Sequence, residues 1–164
     1  MHFRLDQALP GSVEEVVAAF TDPEFLVRVG QQAKVGAPEI LGQDRDGTVV
    51  RQRVRYRFTG PLSPTVERVI DRRRLIWVDE HEYDLSRATA EFRIIPENYA
   101  DRLHCHGTEQ FTATPTGTNR HVESELTVRW PLVGPLVERA IVSGLQEHLA
   151  EEARMVSSWI RGTA

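Results

Sequence analysis

The sharpest chemical candidate in the chain is a histidine and a carboxylate one helical turn apart, His148 and Glu152. At that spacing the two side chains meet on a helix, and the carboxylate can raise the imidazole pKa and orient it as a general base. The competing role is a salt bridge or hydrogen bond at a groove rim. Asp79 and His81 form a second pair, two residues apart on one strand face. They can orient a ligand hydroxyl or carbonyl, or bond to each other and to backbone. Glu109, placed inward by strand alternation, is either a pocket acid or bonded to a helix residue.

Other chemistry is less well supported. His104 and His106 share a strand face, but the outer one. With the following turn centred near Gly117, His121 pairs near Ala113, too far from His106 to share an ion. No metal and no other cofactor is expected. Arg51, Arg53, Arg55 and Arg57 form a row that pairs with acids such as Glu67, Glu80, Glu82 and Glu91 on a solvated face. No aromatic interleaves them there, which argues against nucleic acid. Cys105 has no cationic activator and reads as a small core residue. Phosphate loops, nucleophile elbows and zinc motifs are absent from the sequence.

His148 and Glu152 need an element to hold them. Residues 135–161 read as one long amphipathic helix, Pro135 in its first turn and Gly162 past its end. At ~1.5 Å per residue it is roughly 40 Å long, enough to cross a small domain. Its stripe of Val137, Ile141, Leu145, Leu149, Val156 and Trp159 is broken by Gly144, His148 and Glu152. Either a cavity lies beneath the helix, with these residues facing into it, or the helix overhangs its partner and they touch solvent.

The remaining elements follow in order. Residues 2–9 alternate as a strand. Ser12 and Glu15 match a capping box, and Asp22 with Pro23 opens a second short helix that Gly30 ends. Strand-like runs then cover 39–43, 48–58, 65–71, 75–83, 88–95, 103–113 and 120–130, separated by turns at 44–47, 60–64, 72–74, 84–87, 96–98 and 115–119. Connections this short force antiparallel neighbours. Parity places Gln52, Tyr56, Trp77, Asp79, His81, Tyr83, Phe92, Glu109, Phe111, Ser124 and Leu126 inward. So many polar groups fit a dry core poorly and fit a polar-spotted space under a curved sheet better.

The chain has 164 residues and 40% apolar content, which suits one domain spanning 1–164. A net charge of −4 gives no global pull toward nucleic acid or an anionic membrane. One cysteine precludes an intrachain disulfide and points to a reducing cytoplasm. No leader and no bilayer-spanning run is apparent.

The stretch Leu9-Pro10-Gly11-Ser12-Val13-Glu14-Glu15-Val16 leading into Phe20-Thr21-Asp22-Pro23, and Val128-Arg129-Trp130-Pro131-Leu132-Val133-Gly134-Pro135 entering the last helix, resemble the START-like or SRPBCC superfamily, in particular an uncharacterised bacterial branch. The resemblance implies an α+β helix-grip fold: a curved antiparallel sheet of about six to seven strands wrapped on a long C-terminal helix, with two short helices after the first strand. It further implies a pocket between sheet and helix for a hydrophobic small molecule, and assigns no catalytic residue. The expected function is binding or carriage of a lipid, fatty acid or polyketide-like ligand, favoured over turnover. The expected ligand-binding residues are Gln52, Tyr56, Trp77, His81, Tyr83, Phe92, Glu109, Phe111, Leu126, Gly144, Leu145, His148 and Glu152, with Trp159 adding contact area. One alternative is a cyclase- or dehydratase-like enzyme using His148 or His81, with Glu152 or Asp79 as orienting carboxylate. Another is an interaction protein with a collapsed pocket. A second copy of the chain is a further candidate partner.

Overall fold

The computed structural model describes residues 1–30 and 36–162. Strand β1 (His2–Leu9) leads into α1 (Val13–Phe20) and α2 (Pro23–Gly30). The capping box forms as its residues dictate: the Ser12 hydroxyl accepts from Glu15 N, and Glu15 accepts from Ser12 N at 2.7 Å. Asp22 accepts from Glu24 N at 2.8 Å and opens α2. Then come β2 (Glu39–Asp46), β3 (Val49–Arg57), α3 (Pro64–Glu67), β4 (Ile76–Asp84), β5 (Thr89–Pro96), β6 (Leu103–Thr114), β7 (Gly117–Val128) and the long α4 (Gly134–Ile160). The strands make one antiparallel sheet of seven, in the order β1-β7-β6-β5-β4-β3-β2. This is the helix-grip arrangement that the element order implied.

Three local expectations are corrected. Residues 65–71 are not a strand: Ser63 accepts from Val66 N and Pro64 takes the first helical position, so α3 forms, followed by a tight turn at Arg72–Arg74. Strand β2 continues to Asp46, and the turn shrinks to Gly47 and Thr48, with Gly47 at φ +57°. The β6–β7 turn is only Pro115 and Thr116, so His121 faces Gln110 rather than lying near Ala113.

Alternation sets the inner face as expected. Val50, Gln52, Val54 and Tyr56 are buried, and Arg51, Arg53 and Arg57 are exposed. The arginines pair across strands: Arg51 with Glu82 (2.8 Å) and Asp44, Arg53 with Glu80 (2.9 Å), and Arg55 with Glu39 and Glu97. Glu80 and Glu82 are the expected partners. Glu67 sits on α3, and Glu91 stands opposite Glu82, so neither joins the row. Cys105 is buried, and burial pushes its thiol up to about 12. Among the described residues no helix is long and apolar enough to cross a membrane.

Helix α4 is gripped at its two ends. Val133 and Val137 pack with Val66 and Ile70 at one end. At the other, Leu149, Glu152 and Val156 are buried, and Val156 joins Phe20, Phe25 and Phe111. Between them Ile141, Val142, Gly144, Leu145 and His148 are half-buried, with Ile141 and Val142 packed on the cluster of Phe92, Cys105, Val122 and Leu126. A methyl group added at Gly144 would meet nothing within 4 Å. At Gly107 it would lie 2.3 Å from the Glu123 carbonyl oxygen and 2.5 Å from the Phe92 ring. The two glycines therefore respond oppositely to the same change. Gly107→Ala is expected to lower stability by about 1–3 kcal/mol through overpacking. Gly144→Ala is expected to raise it by about 0.5–1 kcal/mol through helix propensity. Urea unfolding of both variants checks the pair.

Candidate functional site

The buried apolar side chains group into four clusters, two of which share Val128 and Ile141 as flanking members. Beside them runs a belt of charged and polar side chains. At its centre lies Arg120 on β7, 2% exposed. It clamps Glu109 of β6 with two hydrogen bonds, Nε to Oε2 at 3.0 Å and Nη2 to Oε1 at 2.6 Å. Its Nη1 reaches Glu152 on α4, and its guanidinium lies 4.4 Å from the Phe20 ring centroid. Gln7 of β1 accepts from Arg120 at 3.4 Å and donates to the Leu149 carbonyl oxygen at 2.7 Å. One cation thus ties two strands to the helix, and Gln7 ties in a third.

The belt continues onto β4. His81 Nε2 lies 3.7 Å from Glu109 Oε1, and its Nδ1 lies 3.2 Å from Asp79 Oδ1. The His81 ring is stacked between Tyr83 and Phe92, both at 5.4 Å. Burial disfavours its charge, but Asp79 and Glu109 outweigh that and hold its pKa up to about 10. Burial likewise opposes the charge on Glu109, and Arg120 and His81 overcome it, bringing its pKa down to about 2. His81 is therefore an imidazolium at neutral pH, a donor and not a base.

The expected site residues divide into those engaged in the packing and hydrogen bonding of the fold and those grouped around Tyr56 and His148. Gln52 donates to the Phe20 carbonyl oxygen at 3.3 Å and anchors α1. Tyr83 and Phe111 belong to the apolar cluster with Phe20, and Phe92 and Leu126 to another with Cys105 and Val122. Trp159 packs edge-on against Phe25 (5.6 Å). Glu109 is neither a free pocket acid nor bonded to a helix residue, because Arg120 of β7 takes both its oxygens. The His148–Glu152 pair does not form either, since Glu152 is turned to Arg120. A guanidinium offers a stronger, charge-assisted partner than a neighbouring imidazole.

What remains together is a compact group. Tyr56 stacks on Trp77 at 5.9 Å and meets His148 edge-on at 6.2 Å. Asp79 stands beside Tyr56, on the strand that pairs with it. Asp79 Oδ1 and His148 Nδ1 are both buried without a hydrogen-bond partner; the Asp79–His81 approach is an ion-pair contact, not an aligned hydrogen bond. Although they lie deep, the side chains of Asp79 and His81 keep 22% and 17% of their surface accessible, and Trp77 is half-buried. Gly144 and Leu145, one turn before His148 on α4, are half-buried. Two open depressions, one lined by residues 67–73 and Tyr99, the other by residues 11–14 and 113–117, lie outside this group. Among the described residues no cluster of His, Cys, Asp and Glu could hold a metal ion.

Sequence reasoning missed Arg120 and Gln7. Arg120 shares the parity of Ser124 and Leu126, which it did place inward on β7, and Gln7 alternates in phase with Phe3 and Leu5 on β1. The signal was present, but an arginine at a core position reads as exposed until its two carboxylates are known.

The belt makes stability depend on pH with a definite sign. The raised His81 value stabilises fully below 6.5 and loses that contribution as pH rises toward 10. The lowered Glu109 value stabilises above 4.5 and loses its part as pH falls toward 2. Unfolding free energy is expected to fall above pH 6.5, with a slope of up to about 1.4 kcal/mol per pH unit. His81→Phe is expected to flatten that slope, as read from urea unfolding across the range.

Several solved structures share this fold. TTHA0849 from Thermus thermophilus superposes with a TM-score of 0.71 at 20% identity, over 100% of this chain and 99% of that one. The Zhui aromatase/cyclase from Streptomyces sp. R1128 gives 0.69 at 11% identity, over 98% and 93%. Norcoclaurine synthase from Thalictrum flavum gives 0.63 at 18% identity, over 98% and 84%. At these identities the likeness establishes the helix-grip, START-like fold. No curated protein matches the chain. A family model described as "Protein of unknown function (DUF2505)" matches residues 4–160, and the chain belongs to that family.

Proposed function

We propose that the chain binds and carries a small molecule with an apolar body and one polar end, held between the middle of α4 and the inner face of β3 and β4. The observation that carries this reading is a pair of buried polar atoms without a hydrogen bond, Asp79 Oδ1, which has only its ion-pair contact with His81, and His148 Nδ1, bordering Tyr56 from the sheet and from the helix. Buried polar atoms are almost always bonded, so an orphaned pair beside accessible aromatic surface suits a guest that supplies the partners. Tyr56, Trp77 and Leu145 would supply apolar contact, worth ~25 cal/mol per Å² buried. Gly144 leaves the volume. One norcoclaurine synthase structure holds dopamine and hydroxybenzaldehyde, which supports reading the scaffold as a small-molecule receptor.

Binding is favoured over turnover by the chemistry of the histidines. His81 is held as an imidazolium by two carboxylates, and His148 lacks an orienting carboxylate because Glu152 is engaged by Arg120. A general base needs the opposite arrangement.

Native mass spectrometry of the purified protein is expected to show a co-purified apolar small molecule. The protein stripped of it should take up 2-naphthol, whose hydroxyl can donate to Asp79. Gly144→Trp is expected to abolish both while leaving the unfolding midpoint within a few degrees of wild type, since a Cβ at Gly144 meets nothing within 4 Å. Asp79→Asn is expected to weaken 2-naphthol about tenfold, the loss of one hydrogen bond to a charged group. A wild type that carries nothing and takes up no 2-naphthol, or a Gly144→Trp variant that binds as wild type does, contradicts the reading.

A further inference from the structure

The net charge of −4 conceals a local asymmetry. One end of the molecule is built from residues 58–75, 96–103 and 128–139. They are drawn together by the cluster of Val66, Ile70, Val133 and Val137, by the Tyr99–Trp130 ring contact at 4.9 Å, and by a hydrogen bond from Arg129 N to the Arg102 carbonyl oxygen. These segments hold seven arginines against five carboxylates, whereas the whole chain has 20 basic and 24 acidic residues. Four of the five carboxylates are occupied: Glu97 by Arg55, Glu138 by Val128 N, Asp71 by Arg73 and Asp101 by Arg102. Arg68, Arg72, Arg129 and Arg139 are exposed and have no ion-pair partner among the described residues.

The same end exposes apolar side chains. Leu132 is 100% exposed, and Val69 and Leu136 are 44% and 41% exposed. Pro61, Pro64, Pro131 and Pro135 are exposed around them. Leu132 also has φ +66°, a left-handed backbone that a leucine rarely adopts. Water gives no reason to hold a leucine outward in that conformation, and strain of this kind persists where a function uses it.

We infer that this end docks on the surface of an anionic lipid bilayer, with Leu132, Leu136 and Val69 entering the interface and the unpaired arginines meeting lipid phosphates. Charge complementarity selects the partner: apolar side chains rimmed by arginines match acyl chains beneath negative headgroups. A nucleic acid would use the arginines and leave Leu132 in water. The inference is independent of the ligand site.

Vesicle co-sedimentation of the full chain tests it, using phosphatidylcholine vesicles with and without phosphatidylglycerol. The bound fraction is expected to be high only with phosphatidylglycerol and to fall with added salt. Leu132→Gly removes the side chain at a position where glycine is the better fit, so the variant folds. It is expected to bind about tenfold more weakly, as is Arg72→Glu. Arg87→Glu, on the β4–β5 turn, is expected to bind as wild type does. The inference is overturned by equal binding to both vesicles, by no binding, by Leu132→Gly binding as wild type, or by retention on an RNA homopolymer in place of vesicles.

Discussion

A single buried guanidinium ties the sheet to the long helix at the edge of the apolar core. Arg120 sits among Phe20, Glu109, Glu152 and Gln7. Taking its charge out of water costs several kcal/mol, offset only because two carboxylates and an aromatic face replace the lost hydration. Removing any one partner strands the others, so the sheet and the helix are bound by an interaction that tolerates little change. Two carboxylates on one cation are themselves unbalanced, and His81 supplies the second positive charge. The imidazolium is in turn shared with Asp79, which leaves that carboxylate incompletely paired.

That incomplete pairing links architecture to function. The helix is secured at Val137 by apolar packing and at Glu152 by Arg120, about four turns apart. The span between them rests on the sheet through Ile141 and Val142, and at Gly144 an added methyl group would still meet nothing within 4 Å. Tyr56, Trp77, Asp79 and His148 border the region left over. A polar belt that fixes one end of the helix thus also leaves Asp79 Oδ1 and His148 Nδ1 without hydrogen bonds, which a guest can supply.

Much of this was legible in the sequence because it rests on local rules. The capping box at Ser12, the cap at Asp22, the inward parity of Gln52, Asp79 and His81, and the helix end at Gly162 each follow from a residue and its near neighbours. Residues 65–71 misled because Val66, Val69 and Ile70 carry strand propensity while Ser63 and Pro64 nucleate a helix. His148 and Glu152 were read as partners from their spacing. Spacing cannot weigh a helical neighbour against an arginine arriving from a distant strand, and Arg120 lies 32 residues away from Glu152. The exposed Leu132 was likewise invisible, since its backbone conformation is set by the loop between Trp130 and α4.

The most direct test of the account is a high-resolution electron-density map of the region bounded by Tyr56, Trp77, Asp79 and His148. The account predicts ordered water or a bound small molecule within hydrogen-bond reach of Asp79 Oδ1 and His148 Nδ1, with Arg120 still bridging Glu109 and Glu152. A region filled by the protein's own side chains, with both atoms bonded to protein neighbours, would contradict it.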